Sequence, residues 1–225
     1  MIELQHVSKN YQSGKIKFEA LKNINLTIKK GEAVLLFGSS GSGKTTLLNL
    51  IGAMDTPSMG KIVIDGKTVS DFPLPNLTAF RAAKIGFIFQ NYNLIPALNV
   101  YENIVVPMKL KGQRFNKKSV LDLIEKVGLS AHIKHRPDEL SGGQRQRVSI
   151  ARSLVHDPPI IIADEPTANL DSKTAYNIIE LLKELNKNLG VTIVFASHDR
   201  MVFENIRKKI FLVDGAIHYE KELQV

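Results

Sequence analysis

The chain has 225 residues, 44% of them hydrophobic, no cysteine and a formal net charge of +8. That length suffices for one sizeable core, and no apolar run approaches the roughly 18 residues needed to span a bilayer. Without cysteine a disulfide framework and thiolate metal sites are excluded, and Met1-Ile2-Glu3-Leu4 lacks the basic start and apolar stretch of a secretion signal, so a cytoplasmic protein is expected.

The chain opens as β-structure. Ile2, Leu4 and His6 alternate imperfectly with Glu3, Gln5 and Val7, whereas Ile24, Leu26 and Ile28 alternate cleanly. Between them Gln12-Ser13-Gly14-Lys15 is turn-like. Tyr11 ends the first strand region, where an aromatic either stacks on a nucleotide base or simply rims the core. Ala33 to Phe37 is a short continuous apolar run, suited to a strand buried on both faces. It runs into Gly38-Ser39-Ser40-Gly41-Ser42-Gly43-Lys44-Thr45-Thr46, which fits G-x-x-x-x-G-K-[ST]. Leu47, Leu48, Leu50 and Ile51 follow with the apolar stripe of a helix packed on a sheet. Strand, glycine loop and helix together bind phosphate: the backbone wraps the anion, N–H groups point inward, and the helix N-terminus adds partial positive charge. In that setting Lys44 reaches the β- and γ-phosphates and the Thr45 hydroxyl ligates Mg²⁺. Nucleotide binding is the expectation.

Further on, Asp65-Gly66 between Lys61-Ile62-Val63-Ile64 and Lys67-Thr68-Val69 signals a hairpin. Leu77 to Ala83 suits a short helix, and Ile85 to Phe89 another buried strand ending at Gln90. From about 93 to 155 the pattern turns helical. One helix covers Val100 to Leu110, kinked or ended near Pro107. In the same stretch Lys109, Lys111, Arg114, Lys117 and Lys118 form the densest acid-free patch, either a solvated loop and helix start or a membrane-proximal face. A second helix is marked by Val120, Leu121, Ile124 and Val127 and stopped by Gly128. A third begins at Ser141, where Ser141-Gly142-Gly143-Gln144 has the S-x-x-Q form of a capping box, and Asp157-Pro158-Pro159 ends it. The core resumes with a strand over Ile160 to Ala163, a helix through Ile178, Ile179, Leu182 and Leu185, a strand over Val191 to Ala196 and a last hairpin around Asp214-Gly215. Alternating strands and helices imply an α/β fold with a largely parallel sheet. Residues 1–92 and 156–225 would form the core of a single domain, and 93–155 an inserted helical subdomain.

Asp164-Glu165 follows four apolar residues, at the carboxyl end of a buried strand, where open α/β sheets place their ligands. Asp164 can hold Mg²⁺ through its water shell, while Glu165 can orient or deprotonate an attacking water. Gln90 and His198 also follow strands and would emerge at the same edge. Gln90 could contact Mg²⁺ or the water, and His198 could donate to the γ-phosphate oxygens; spacing alone does not separate these roles from structural ones.

In order along the chain, these motifs resemble those of the ATP-binding cassette (ABC) ATPases, and the resemblance covers essentially the whole sequence. Leu140-Ser141-Gly142-Gly143-Gln144 looks like that family's signature motif, and Ala168-Asn169-Leu170-Asp171 like its D-loop. The resemblance implies a P-loop core with an N-terminal antiparallel β subdomain and the helical insert. It also implies Tyr11 as the adenine-stacking aromatic, Gln90 as the glutamine of its loop, Glu165 and His198 as catalytic groups, and Asp171 within the D-loop. Ser141 to Gln144 would face the phosphate loop of a second chain, so that Mg-ATP glues a homodimer. Departures are small: Ser39 stands where proline is frequent, Thr45 where serine is commoner, and Asn169 where the D-loop often has another small residue. Relatives acting on chromosomes carry long coiled coils, excision-repair relatives carry cysteine zinc sites, and the ribosomal class carries two cassettes per chain. None of these fits, so a transmembrane permease is the expected partner and nucleic acid is not. Ile85 to Gln90, Asn93 to Pro96, Val100 to Ile104 and Pro166 to Ser172 are similar to the LolD/MacB group of lipoprotein-release and efflux ATPases, with the cell-division ATPase FtsE as the alternative. An ATPase peripheral to the inner face of the cell membrane is implied.

Overall fold

A computed structural model of the chain describes residues 1–14, 16–112 and 114–222; Lys15, part of the expected first turn, lies outside the described residues. In chain order the structure begins with β1 (Ile2–Ser13), β2 (Ile16–Ile28), β3 (Ala33–Phe37), helix α1 (Lys44–Ile51), β4 (Met59–Ile64) and β5 (Lys67–Thr68). Strands β2-β1-β4-β5 form an antiparallel sheet in that order. The imperfect alternation in β1 has a physical cause. His6 takes a φ of 52° and the register with β2 shifts between Leu4 and Val7. This bulge turns Val7, rather than His6, into the core. Asn25 Oδ1 accepts from His6 N at 2.9 Å, which holds the bulge in place. The β4–β5 turn has φ of 50° at Asp65 and 73° at Gly66, the pair of positive values that matches the strand twist.

The chain continues through α2 (Leu74–Lys84) into β6 (Ile85–Ile88), then three helices, α3 (Val100–Leu110), α4 (Lys117–Lys126) and α5 (Gly142–Leu154). It ends with β7 (Ile160–Asp164), α6 (Ser172–Leu189), β8 (Thr192–Ser197), α7 (Arg200–Asn205), β9 (Lys208–Val213) and β10 (Ala216–Glu222). The second sheet has the order β10-β9-β3-β8-β7-β6. All its pairs are parallel except β9–β10. Successive residues of its inner strands therefore feed two cores. Val34, Leu36, Ile160, Ile162, Val194 and Ala196 pack with α1 and the antiparallel sheet. Leu35, Ile161, Ala163, Ile193 and Phe195 pack with α3 to α6. Both faces are buried, which is why these strands read as unbroken apolar runs.

Parallel pairing brings the carboxyl ends of β3, β6, β7 and β8 to one edge, and the loops that follow them carry the expected motifs. The terminal hairpin steadies that edge: Gly215 N donates to Ser42 O at 3.1 Å, and Gly215 O accepts from Lys22 N at 2.8 Å. Pro107 does not end α3, which runs on to Leu110; without an N–H the proline cannot donate to the carbonyl four residues back, and only one more turn follows it. Helix α7 was outside the sequence reading, since six residues are too few for a helical period.

Candidate active site

The loop between β3 and α1 is wrapped tightly. Gly43 has φ of 103°, and a Cβ there would stand 2.9 Å from the Ala20 carbonyl oxygen, so only glycine fits. Lys44 is buried and folds over the loop, donating from Nζ to Gly38 O at 2.8 Å and Ser39 O at 3.0 Å. Its ammonium is thus held against the main-chain oxygens of the loop itself.

Glu165 comes directly after β7 with φ of 46°, a left-handed conformation uncommon outside glycine. Its N–H donates to Ala196 O at 2.9 Å, so the strained turn is anchored to β8. Both carboxylate oxygens are engaged. Ser197 Oγ donates to Oε2 at 3.0 Å, and His198 Nδ1 lies 2.7 Å from Oε1. A carboxylate partner fixes Nδ1 as the protonated nitrogen and leaves the far edge of the ring free. Ser197 in turn accepts from Asp199 N at 3.0 Å. Burial, then the adjacent Glu165 charge, raises the Asp164 carboxyl above the ordinary carboxylate range, while Lys44 pulls it the other way.

A cavity of about 510 Å³ joins these groups, lined by Phe18, Ala20, Ser39, Ser40, Gly41, Gly43 to Thr46, Gln90, Glu165 and His198. The phosphate loop, Gln90, Glu165 and His198 are therefore brought together. Thr45 and Gln90 line the cavity, whereas Asp164, at the end of β7, is not among its lining residues; their hydroxyl, amide and carboxylate oxygens are the hard donor set that suits Mg²⁺.

Other expected residues stand apart from the cavity. Tyr11 donates from its hydroxyl to Asp55 Oδ2 at 3.0 Å, with the Lys9 ammonium 5.0 Å from its ring centre. The aromatic that lines the cavity is Phe18, its cross-strand partner, which is 60% exposed. Sequence reasoning missed Phe18, because counting outward from the expected turn at Gln12 to Lys15 pairs Tyr11 with Ile16, whereas the strands pair it with Phe18. Ser141 to Gln144 start α5 away from the cavity. Ser141 Oγ accepts from Gln144 N at 3.3 Å and Gln144 Oε1 accepts from Ser141 N at 2.8 Å, the reciprocal capping box. Asp171 caps α6, accepting from Thr174 N at 3.0 Å.

The family model described as ABC transporter matches residues 21–168. The chain belongs to the ABC transporter family. The ABC transporter ATP-binding protein MJ0796 of Methanocaldococcus jannaschii is 45% identical, over all of this chain and 98% of that protein. The macrolide export ATP-binding/permease protein MacB of Bdellovibrio bacteriovorus is 41% identical over all of this chain, which spans 34% of MacB. A dimeric structure of MJ0796 in a post-hydrolysis state, bound to ADP and Pi, superposes with a TM-score of 0.90 at 43% identity and covers both chains fully. This ABC protein is accordingly a nucleotide-binding ATPase cassette of the transporter type.

Proposed function

We propose that this ABC ATPase dimerises around two Mg-ATP molecules and powers a separate membrane permease of the export type. The observation that carries the reading is the Glu165 carboxylate, gripped through both oxygens by Ser197 and His198 and facing the phosphate loop across one cavity. A base held at two points is aimed without further ordering, which favours attack by a positioned water.

Lys44 would move from the Gly38 and Ser39 carbonyls to the β- and γ-phosphates. The loop from Gly38 to Thr46, with Ser40, Ser42 and the Gly41 and Gly43 turns, would cradle them. Thr45, Gln90 and Asp164 would hold Mg²⁺, which when bound neutralises charge on the β- and γ-oxygens. Glu165 would take the proton of the attacking water, and His198 would donate to the γ-phosphate as charge develops. Tyr11 would stack on the adenine, with Phe18 beside it. Ser141, Gly142, Gly143 and Gln144 would close over the phosphate loop of the other chain, and Asp171 would lie in the same interface. Residues 93–155 would move as a helical subdomain against the core.

No helix among the described residues is long and apolar enough to cross a membrane. Support for a membrane partner comes from MacB, whose name joins an ATP-binding part to a permease. A cleft of about 520 Å³ beside the Gln90–Ile95 loop adds to it. Phe87, Phe89, Val106, Pro107 and Leu110 make its apolar wall, and Arg81, Lys111 and Arg152 its cationic rim, with no acid among the lining residues. An amphipathic segment bearing an acidic group would fit there, setting the protein at the inner face of the membrane. Tagged Glu165→Gln chain, trapped with Mg-ATP and recovered from gently solubilised membranes, is expected to bring down a polytopic protein that Lys44→Ala does not. Recovery of ribosomes or DNA without a membrane protein would sink the transporter reading.

A further inference from the structure

Asn169, in the segment between β7 and α6, makes a contact unconnected with the groups above. Its Nδ2 donates to the main-chain oxygen of Gln90 at 3.0 Å and reaches Asn91 Oδ1 at 3.4 Å. Gln90 lines the cavity together with Glu165 and His198. Both segments joined by Asn169 are also tied to α5. Arg152 donates to the main-chain oxygens of Tyr92 and Asn93 at 2.6 and 2.5 Å. Buried Gln146 donates to Pro166 O at 2.8 Å. Asn169 thereby closes a triangle of ties among the loop after β6, the segment after β7 and the helix that carries the signature. The same two segments meet at the front of that helix: a Cβ on Gly142 would stand only 3.2 Å from both Tyr92 Oη and Leu170 Cδ2.

We infer that Asn169 is a positioning residue, a latch that carries the state of the Gln90 side of the cavity to the signature end of α5 in the same chain. A small side chain without an amide would leave the two segments joined only by the β6–β7 pairing at their roots and through α5; the asparagine adds a direct tie between them. The inference rests on the reading that the signature of one chain closes over the ATP of the other. On that basis the latch links the nucleotide a chain holds to the closure it performs on its partner, so the two sites report to each other.

Asn169→Asp keeps the shape and turns the donor into an acceptor facing two oxygens. In the Glu165→Gln chain, sedimentation velocity against Mg-ATP concentration reads dimer formation. Asn169→Asp is expected to raise the ATP concentration for half-maximal dimer about three- to tenfold, the loss of one such hydrogen bond. ATP binding at protein concentrations too low for dimer, and the melting temperature, stay as in the parent. Adding Asn91→Lys supplies a donor opposite the new carboxylate and restores the parent concentration, which a contact made only with the other chain would not allow. Dimerisation of Asn169→Asp at the parent concentration, or no restoration by Asn91→Lys, overturns the latch. A Glu165→Gln parent that forms no ATP-dependent dimer overturns the underlying reading instead, and the latch with it.

Discussion

At the level of single residues, the proposed chemistry draws on two adjacent carboxylates held in opposite ways. Glu165 is fixed by hydrogen bonds, whereas Asp164 is shaped by burial. Glu165→Gln keeps the shape of the site but removes the base, so phosphate release is expected to fall by about 10²–10⁴ while ATP binding persists; stopped-flow phosphate detection reads it. For Asp164 the sign follows from the raised pKa. A group whose folded pKa lies above its unfolded value favours folding while protonated, and that contribution is lost as pH rises through the folded pKa. Asp164→Asn should therefore raise the melting temperature at neutral pH, with the gain shrinking towards about pH 4, while hydrolysis is abolished. Thermal melts across that range test the direction. Both acids stand out in the sequence because they follow four apolar residues in a chain that also carries the G-x-x-x-x-G-K-[ST] loop; alone, a solvated strand end would explain them equally well. Ser197 was not, since a serine closing an apolar run carries no signal until the strand is placed beside β7. Phe18 was missed for a similar reason: one exposed aromatic in a hairpin gains meaning only when its cross-strand neighbour is known.

Among the elements, α5 does the most positioning. Its N-terminus is capped reciprocally by Ser141 and Gln144, its middle and end hold the segments after β7 and β6, and its buried face fills one core. Ser141→Ala removes the cap acceptor and should destabilise the fold by about 1 kcal/mol, read as a lower midpoint of urea unfolding with unchanged slope. Just past α5 lies His156, whose two ring nitrogens are buried and meet no hydrogen-bond partner of good geometry among the described residues. Burial, then the charge of Lys111, lowers its pKa from 6.5 to about 4. A depressed folded pKa gives stability that is present above the unfolded value and lost as pH falls towards the folded one. The chain is thus expected to lose stability from pH 6.5 down to about 4, and His156→Phe to flatten that part of the profile in urea titrations. The capping box was legible from S-x-x-Q, whereas the His156 environment depends on α2 and α3 closing over it, which no local pattern encodes. The β1 bulge is a middle case: the broken alternation was visible, but its cause, a left-handed His6 held by Asn25, needed the neighbouring strand.

On the scale of the whole molecule, alternating strands and helices were enough to infer a parallel sheet with its chemistry at the carboxyl edge. The order β10-β9-β3-β8-β7-β6 and the two separate cores were not legible, because strand order is decided by long-range packing of side chains that look alike in sequence. The same packing explains why the signature stands away from the cavity: it rides on a helix packed in one core, while the phosphate loop belongs to the other. On the proposed reading a complete hydrolytic site needs two chains, each supplying what the other lacks. Mixing two inactive variants tests this directly. Glu165→Gln leaves the signature intact but removes the base, and Ser141→Arg blocks the signature but keeps phosphate loop and base. Neither should hydrolyse ATP alone. Mixed, they should regain phosphate release well above the sum of the separate proteins, because the mixed dimer contains one intact site. Activity of the mixture equal to that sum would contradict a site shared between two chains.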